Sequence, residues 1–407
     1  MKNLSKIKYL SFEGGGGKGN AYVGALNALE QLKIIGFKDH HLQGNIKGIS
    51  GASAGAIIAL LLGSGYSYKE LFRIMQARDF NDFFDLPVLG EVVIAGKGFS
   101  HNYSSEELRK VFKDSPNWLS ALQLLLNPVI GLLIGKSLNN ENVVLAKRLK
   151  ANSAKYLSCL IYDQGLFSGL TIQKRFFEEL IQYKIFCIKN NLSYEFLNEE
   201  KNLSYNVEII KSIRSQIDRN LLKPCTFQEH FDIFKVELAF TSVNLVTENV
   251  QVFSYKTCPN FPISTAARMS MSLPCIYKPV IVNKDSLSAL GLLSDFEGVY
   301  IDGGLFDNAP ARVFNDTANT VLFRLGNRQA NNKITNMIDF LKVYLKLGVM
   351  GSGSGQVNRT TVPDLNVIEL DVLGLSLLKF NLLKQDFEDL ANFNFDVVAD
   401  YFSDWKP

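Results

Sequence analysis

The stretch FEGGGGKGNAYVGAL, from Phe12 to Leu26, places four consecutive glycines between a short apolar run and residues at helical spacing. Losing four side chains in a row lets a partner come close to the backbone. Successive glycine N–H groups at a helix N-terminus converge on one point, so the partner that suits them is a negative charge. Three chemistries use such a loop. Gly14, Gly16 and Gly19 satisfy the G-x-G-x-x-G dinucleotide pattern, and Asp39 follows downstream. Asp39, however, stands in GFKDHH and not at the end of an apolar second strand, where a ribose-binding acid belongs. A phosphate-binding P-loop needs its lysine followed by Ser or Thr, whereas Lys18 is followed by Gly19 and Phe12 stands where the first glycine should be. The third chemistry is an oxyanion hole, in which the loop amides, the helix dipole and Lys18 stabilise developing negative charge. A plain structural turn is the alternative, but turns seldom need four glycines.

An oxyanion hole requires a nucleophile. GASAG puts Ser53 in the G-x-S-x-G pattern, with Gly51 and Gly55 small enough to permit a sharp strand-to-helix turn that exposes the hydroxyl. The pattern alone is weak. Its setting, between an apolar strand and an apolar helix, is the one a nucleophile elbow requires.

A serine hydroxyl also needs a base. The histidines are His40, His41, His101 and His230, all in polar or loop-like surroundings that suit a solvated side chain. No histidine follows residue 230, so the Ser, acid, His order of an α/β-hydrolase is broken. The other candidate is Asp302 in VYIDGGLFDNAP, a carboxylate at the end of an apolar strand, followed by Gly303 and Gly304. Partial desolvation raises a carboxylate pKa and lets it take the serine proton directly, as a Ser-Asp dyad. Asp307 is a nearby rival that reads better as a turn residue.

The elements that must hold these residues follow from periodicity. Ile7 to Phe12 reads as a strand, and Tyr22, Leu26, Leu29 and Leu32 as a helix that Gly36 stops. IKGIS, GASAG and AIIALLLG repeat the strand, turn, helix pattern. Two such units predict a largely parallel sheet with helices on both faces. Further strands are expected within Val236 to Phe253, at Val299 to Ile301, at Val321 to Leu325 and at Val367 to Asp371. Helices are expected at Ile334 to Met350 and Lys384 to Phe402, with GSGSG (Gly351 to Gly355) as a flexible connection after the first.

The middle of the chain, about 104–235, lacks the strand-turn signature and reads as a helical insertion. It contains an uncharged run from Ser115 to Gly135 that is long enough to span a bilayer. Asn127-Pro128 breaks it at the centre, and a lone span would put two halves of one sheet on opposite sides of a membrane. A buried cap or a lipid-facing lid therefore fits better.

Composition bounds the function. With 47% hydrophobic residues the chain can bury a sizeable core. Its 43 basic and 40 acidic residues leave a net charge of +3, too balanced for a nucleic-acid footprint, so no nucleic-acid partner is expected. Five cysteines without a CxxC pair are expected to be reduced thiols. The N-terminal residues lack an apolar signal-peptide core, so folding in the cytoplasm is expected. Export by a route that reads other signals stays open.

The ordered set Gly14-Gly15-Gly16-Gly17-Lys18-Gly19, Gly51-Ala52-Ser53-Ala54-Gly55 and Asp302-Gly303-Gly304 resembles the patatin-like phospholipases. That family carries a G-G-G-x-[KR]-G loop, a G-x-S-x-G turn and an Asp-Gly-Gly or Asp-Gly-Ala motif. Weaker similarity runs through GLFSGLTIQKRFFEELI, ISTAARMSMSLPCIYKPV and the C-terminal LKFNLLKQDFEDLANFNFDVVADYF. The resemblance implies a three-layer α/β/α sheet with helical insertions, forming one catalytic domain over residues 1–407 with an insertion or lid at about 104–235. It implies a lipid acyl hydrolase, a phospholipase A or lysophospholipase, with Ser53 as nucleophile, Asp302 as proton acceptor and amides around Gly15 to Gly17 holding the oxyanion. Lys18 is then an electrostatic helper or a salt-bridge residue. No metal or other cofactor is implied. The partners implied are a membrane phospholipid substrate, met as a peripheral protein, and an activating protein such as some secreted family members need. A lipid- or protein-binding module with weak catalysis is the alternative.

Overall fold

The computed structural model describes residues 3–77, 80–95, 98–101, 153–193, 203–326, 362, 364–375 and 381–406. The uncharged run Ser115 to Gly135, the expected helix at 334–350, the GSGSG connection and much of the insertion lie outside these residues.

Fourteen strands are defined among the described residues: β1 Tyr9–Phe12, β2 Ile35–Lys38, β3 His41–Gly44, β4 Gly48–Gly51, β5 Glu91–Ile94, β6 Gly98–His101, β7 Gly165–Phe167, β8 Glu237–Asn244, β9 Asn249–Ser254, β10 Cys275–Tyr277, β11 Val280–Val282, β12 Gly298–Asp302, β13 Thr320–Gly326 and β14 Asn366–Asp371. Two helices follow the glycine-bearing turns, α1 Tyr22–Gln31 and α2 Ala54–Gly63.

The first half of the main sheet is parallel, in the order β14, β13, β1, β4, β8. All four residues of β4 and all eight of β8 are buried, which requires cover on both faces. This is the α/β layer arrangement expected from the repeated strand, turn, helix units. The second half departs from the parallel expectation. Strand β12 runs antiparallel to both β8 and β11, and β6 runs antiparallel to β5.

The junction between the halves positions the site. Strand β9 pairs with β8 from Ala239 to Asn244 and so occupies one edge of it. Strand β4 pairs with β8 up to Gly51 opposite Phe240, and β12 pairs with it down to Asp302 opposite Ser242. Each overlaps β9 in register, so β4 and β12 must share the other edge. They approach from opposite directions and their C-terminal ends meet.

One local expectation fails. Gly36 does not end a helix: α1 stops at Gln31, and Gly36 lies in β2, which forms a hairpin with β3. Asp39 and His40, both with positive φ (49° and 63°), supply the two-residue turn. That pair of left-handed residues gives the twist a tight hairpin needs, and neither is glycine, so the usual signal is missing. The described part of the middle segment is mostly helical, with Ser153–Tyr162, Glu179–Lys189, Leu203–Asp218 and Phe227–Phe234, but β7 pairs in parallel with β10. All five cysteines are free. Among the described residues no helix is long and apolar enough to cross a membrane.

Candidate active site

Ser53 sits between β4 and α2 with φ 51° and ψ −121°. This is a backbone region that a non-glycine residue enters at a cost of about 1–3 kcal/mol, sustained only where the surroundings impose it. The neighbours do so. A Cβ on Gly51 would stand 2.2 Å from the Gly55 carbonyl oxygen, and one on Gly55 would stand 2.1 Å from the Phe12 carbonyl oxygen. The two motif glycines therefore let the turn fold back on itself and let α2 press against the end of β1. The Ser53 N–H donates to Ser270 Oγ at 3.0 Å, which pins the turn to the buried helix Ile263–Ser270.

The Ser53 hydroxyl donates to Asp302 Oδ2 at 2.8 Å. The other carboxylate oxygen, Oδ1, accepts the Gly304 N–H at 2.8 Å. Ser53 is 5% exposed and Asp302 1%, so the carboxyl group has almost no water to support its charge. Burial lifts its pKa from 3.8 to about 7, against the smaller opposing effects of the Ser53 and Gly304 hydrogen bonds and the Arg268 charge.

Arg268 is fully buried and within electrostatic reach of Asp302. Its guanidinium donates to the carbonyls of Ser168 and Lys278 and to Ser272 Oγ, and lies 4.9 Å over the Tyr277 ring. Burial pulls its pKa down to about 10. Asp307 does not meet the serine hydroxyl in this arrangement. Its N–H donates to the Gly303 carbonyl at 3.0 Å, its carboxyl accepts from the Ala309 backbone, and burial raises its pKa.

The glycine loop lies beside the elbow: a Cβ on Gly14 would be 3.0 Å from Ser53 Cβ. The loop continues as a short 3₁₀ turn, Gly16–Ala21, before α1. Its amides divide into two groups. Gly14 N–H donates to the Asn308 carbonyl at 3.0 Å, and Lys18 N–H donates to the Gly15 carbonyl at 3.2 Å. The amides of Gly15, Gly16 and Gly17 precede that first bond of the turn, the position at which a helix N-terminus leaves its N–H groups to outside partners. Lys18 lies within electrostatic reach of Glu13. Glu13 itself is buried and accepts the Leu325 N–H at 2.7 Å, and burial lifts its pKa from 4.5 to about 7.

Two of the histidines, His40 and His230, depart from the solvated reading, whereas His41 stays half-exposed. His230 is buried, with Nε2 3.0 Å from Ser64 Oγ, and burial lowers its pKa to about 3. It shares the apolar face of its helix with Phe227 and Phe234, a helical spacing that signals burial. His40 is buried with Nδ1 3.1 Å from Lys184 Nζ and Nε2 2.7 Å from the Leu192 carbonyl. His41 stands next to it, its ring 6.3 Å from that of Phe234. Ser64 caps α2 at the end away from Ser53, and eleven residues of helix at 1.5 Å rise separate them by about 16 Å. The His101 side chain lies outside the described residues. Asp39 lies in the β2–β3 hairpin turn beside His40, whose carbonyl packs against Gly65 just past the C-terminal end of α2.

Ser270, Arg268, Glu13 and Asn308 are contacts that sequence reasoning did not single out. Each lies within or next to a stretch that was read for other residues, and none carries a spacing signal of its own.

The family model for patatin-like phospholipases matches residues 10–315. Along most of its length the chain is similar to the uncharacterized protein R571 of Acanthamoeba polyphaga mimivirus, with 25% identity over 395 residues, 94% of this chain and 89% of that protein. Over 106 residues it is 26% identical to the probable lipid hydrolase 463L of Invertebrate iridescent virus 6, covering 26% of this chain and 32% of that protein. Among solved structures, VipD from Legionella pneumophila has a TM-score of 0.49 at 14% identity, covering 98% of this chain and 67% of that one. ExoU of Pseudomonas aeruginosa, solved in complex with SpcU, has a TM-score of 0.41 at 15% identity, covering 98% and 51%. The match at 10–315 takes in the glycine loop, the elbow and the Asp302 turn together, on a mixed sheet with helices of the patatin fold; this chain belongs to the patatin-like phospholipase family.

Proposed function

We propose that this protein is a lipid acyl hydrolase, a phospholipase A or lysophospholipase, in which Ser53 is the nucleophile and Asp302 its base. The observation that carries the reading is the 2.8 Å hydrogen bond from Ser53 Oγ to Asp302 Oδ2, made by a serine in a strained elbow beside a glycine loop. Membership of the family supports a fatty-acyl ester of a membrane phospholipid as substrate, met at the membrane surface.

In the acylation step Ser53 Oγ attacks the ester carbonyl carbon while its proton passes to Asp302. A carboxyl group with a pKa near 7 is close to the optimum for a base at neutral pH. The carbonyl oxygen becomes an oxyanion that accepts hydrogen bonds from the amides of Gly15, Gly16 and Gly17, donors held in place before the reaction begins. The tetrahedral species collapses, the C–O bond to the leaving alcohol breaks, and Asp302 returns the proton to that alcohol. Water then attacks the acyl-serine, Asp302 takes its proton, and the fatty acid leaves as Ser53 is reprotonated.

The test is fatty-acid release from mixed phospholipid vesicles by wild type and Ser53→Ala, each with and without eukaryotic cell extract. Serine-dependent release without extract identifies an autonomous enzyme, and release only with extract one that needs a protein activator. No release in either arm overturns the hydrolase reading in favour of a binding module.

A further inference from the structure

We propose that Asn308 is a positioning residue that aims the oxyanion donors and ties them to the catalytic carboxylate, an inference that rests on the hydrolase reading above. Asn308 grips Gly14 at both ends. Its carbonyl accepts the Gly14 N–H at 3.0 Å, and its Nδ2 donates to the Gly14 carbonyl at 3.2 Å and to Glu13 Oε1 at 3.3 Å. Because both of those partners are acceptors, the amide nitrogen must face the glycine loop and the amide oxygen must face away from those two acceptors.

The grip on the Gly14 carbonyl has a directional effect. That carbonyl and the Gly15 N–H belong to one planar peptide group and, in the trans form, point in opposite directions. Holding the oxygen on Asn308 Nδ2 therefore turns the Gly15 N–H away from Asn308 and stops the peptide from flipping. Gly15 is the first loop amide that is not committed to Asn308 or to the turn that follows.

The amide oxygen does the second part of the work. A Cβ on Gly14 and a Cβ on Gly304 would each lie 2.4 Å from Asn308 Oδ1. The side-chain amide is thus wedged between the glycine loop and the Asp-Gly-Gly turn, with no room for a methyl group on either side. Gly304 is the residue whose N–H holds Asp302 Oδ1. One side chain therefore sets the distance between the amides that receive the oxyanion and the carboxylate that takes the proton. Glu13, whose Oε1 accepts from the Asn308 amide, is itself held by the Leu325 N–H.

The experiment compares wild type with Asn308→Ala and Asn308→Asp on a soluble short-chain ester at alkaline pH, with active serines counted by irreversible fluorophosphonate labelling taken to completion. Asn308→Asp is nearly isosteric and keeps an oxygen toward Gly304, but its ionised carboxylate has no hydrogen for Gly14, so it decides the matter if Asn308→Ala does not fold. Turnover per labelled serine is expected to fall about 100-fold in both variants, the scale of one lost oxyanion donor, with KM little changed. A residue that only braces the loop would lower the melting temperature or the number of labelled serines and leave turnover per labelled serine at the wild-type value. That result overturns the proposal. A wild type without any ester turnover would instead overturn the hydrolase reading, and the proposal with it.

Discussion

Gly51 and Asp302, the last residues of two strands that run in opposite directions, stop opposite Phe240 and Ser242 on the same edge of β8. The Ser53 turn and the Asp302 carboxylate are therefore hung from a single buried strand. The rigidity of that strand, whose eight residues are all buried, limits how far Ser53 can move from Asp302. The Ser270 hydroxyl fixes the elbow from a third direction.

Replacing Ser53 by alanine should reduce fatty-acid release on the order of 10⁴-fold or more, and Asp302→Asn should do the same, since groups that act as a unit fail together. Both proteins should remain folded by circular dichroism. Activity retained by Asp302→Asn would move the base to Asp307.

The pH dependence follows from the raised pKa of Asp302. Only the ionised carboxylate can accept the serine proton, so kcat/KM for a soluble ester should rise about tenfold per pH unit below about 7 and level off above it. Stability should run the other way. A carboxyl whose folded pKa lies above its unfolded value binds protons more tightly in the native state, so its contribution is full below the unfolded value and is lost as pH rises through about 7. Glu13, lifted from 4.5 to about 7, acts in the same direction. Thermal melts at several pH values should therefore show a higher melting temperature on the acid side of neutrality. At alkaline pH, inactive Asp302→Asn should melt above wild type.

Gly55→Ala should be among the most damaging single changes in the chain. The added methyl would meet the Phe12 carbonyl at 2.1 Å, and neither β1 nor α2 can retreat without disturbing the sheet. A loss of about 3 kcal/mol or more in urea unfolding is expected, the upper end for overpacking a tight site.

Lys278 and Asp163 form a buried pair at 2.8 Å, with side chains 1% and 0% exposed. Lys278 also donates to the Val88 carbonyl, and Asp163 accepts the Gly90 N–H. Lys278→Met leaves the carboxylate buried with its cation removed and should cost about 3–5 kcal/mol, whereas Lys278→Met combined with Asp163→Leu should recover much of that loss. A double-mutant cycle by denaturant unfolding measures both.

Local patterns carried much of this protein. The glycine loop, the elbow with Gly51 and Gly55, and the strands β1, β4, β8, β9, β13 and β14 were legible because a turn conformation or a burial period is encoded within a few neighbouring residues. The sequence order of the three motifs identified the family for the same reason. What only the tertiary structure decided depends on partners far apart in the chain. Ser53 and the carboxylate that takes its hydrogen bond are 249 residues apart, and they meet only because β12 enters antiparallel on the edge of β8 that β4 already uses. The burial of His40 and His230 comes from elements that cover them, against Lys184 and Ser64. The commitment of individual loop amides, with Gly14 bound to Asn308 and Ser53 to Ser270, likewise arises from long-range packing. Strand register and side-chain contact across such separations are set by the whole core at once, and no local window of residues contains that information.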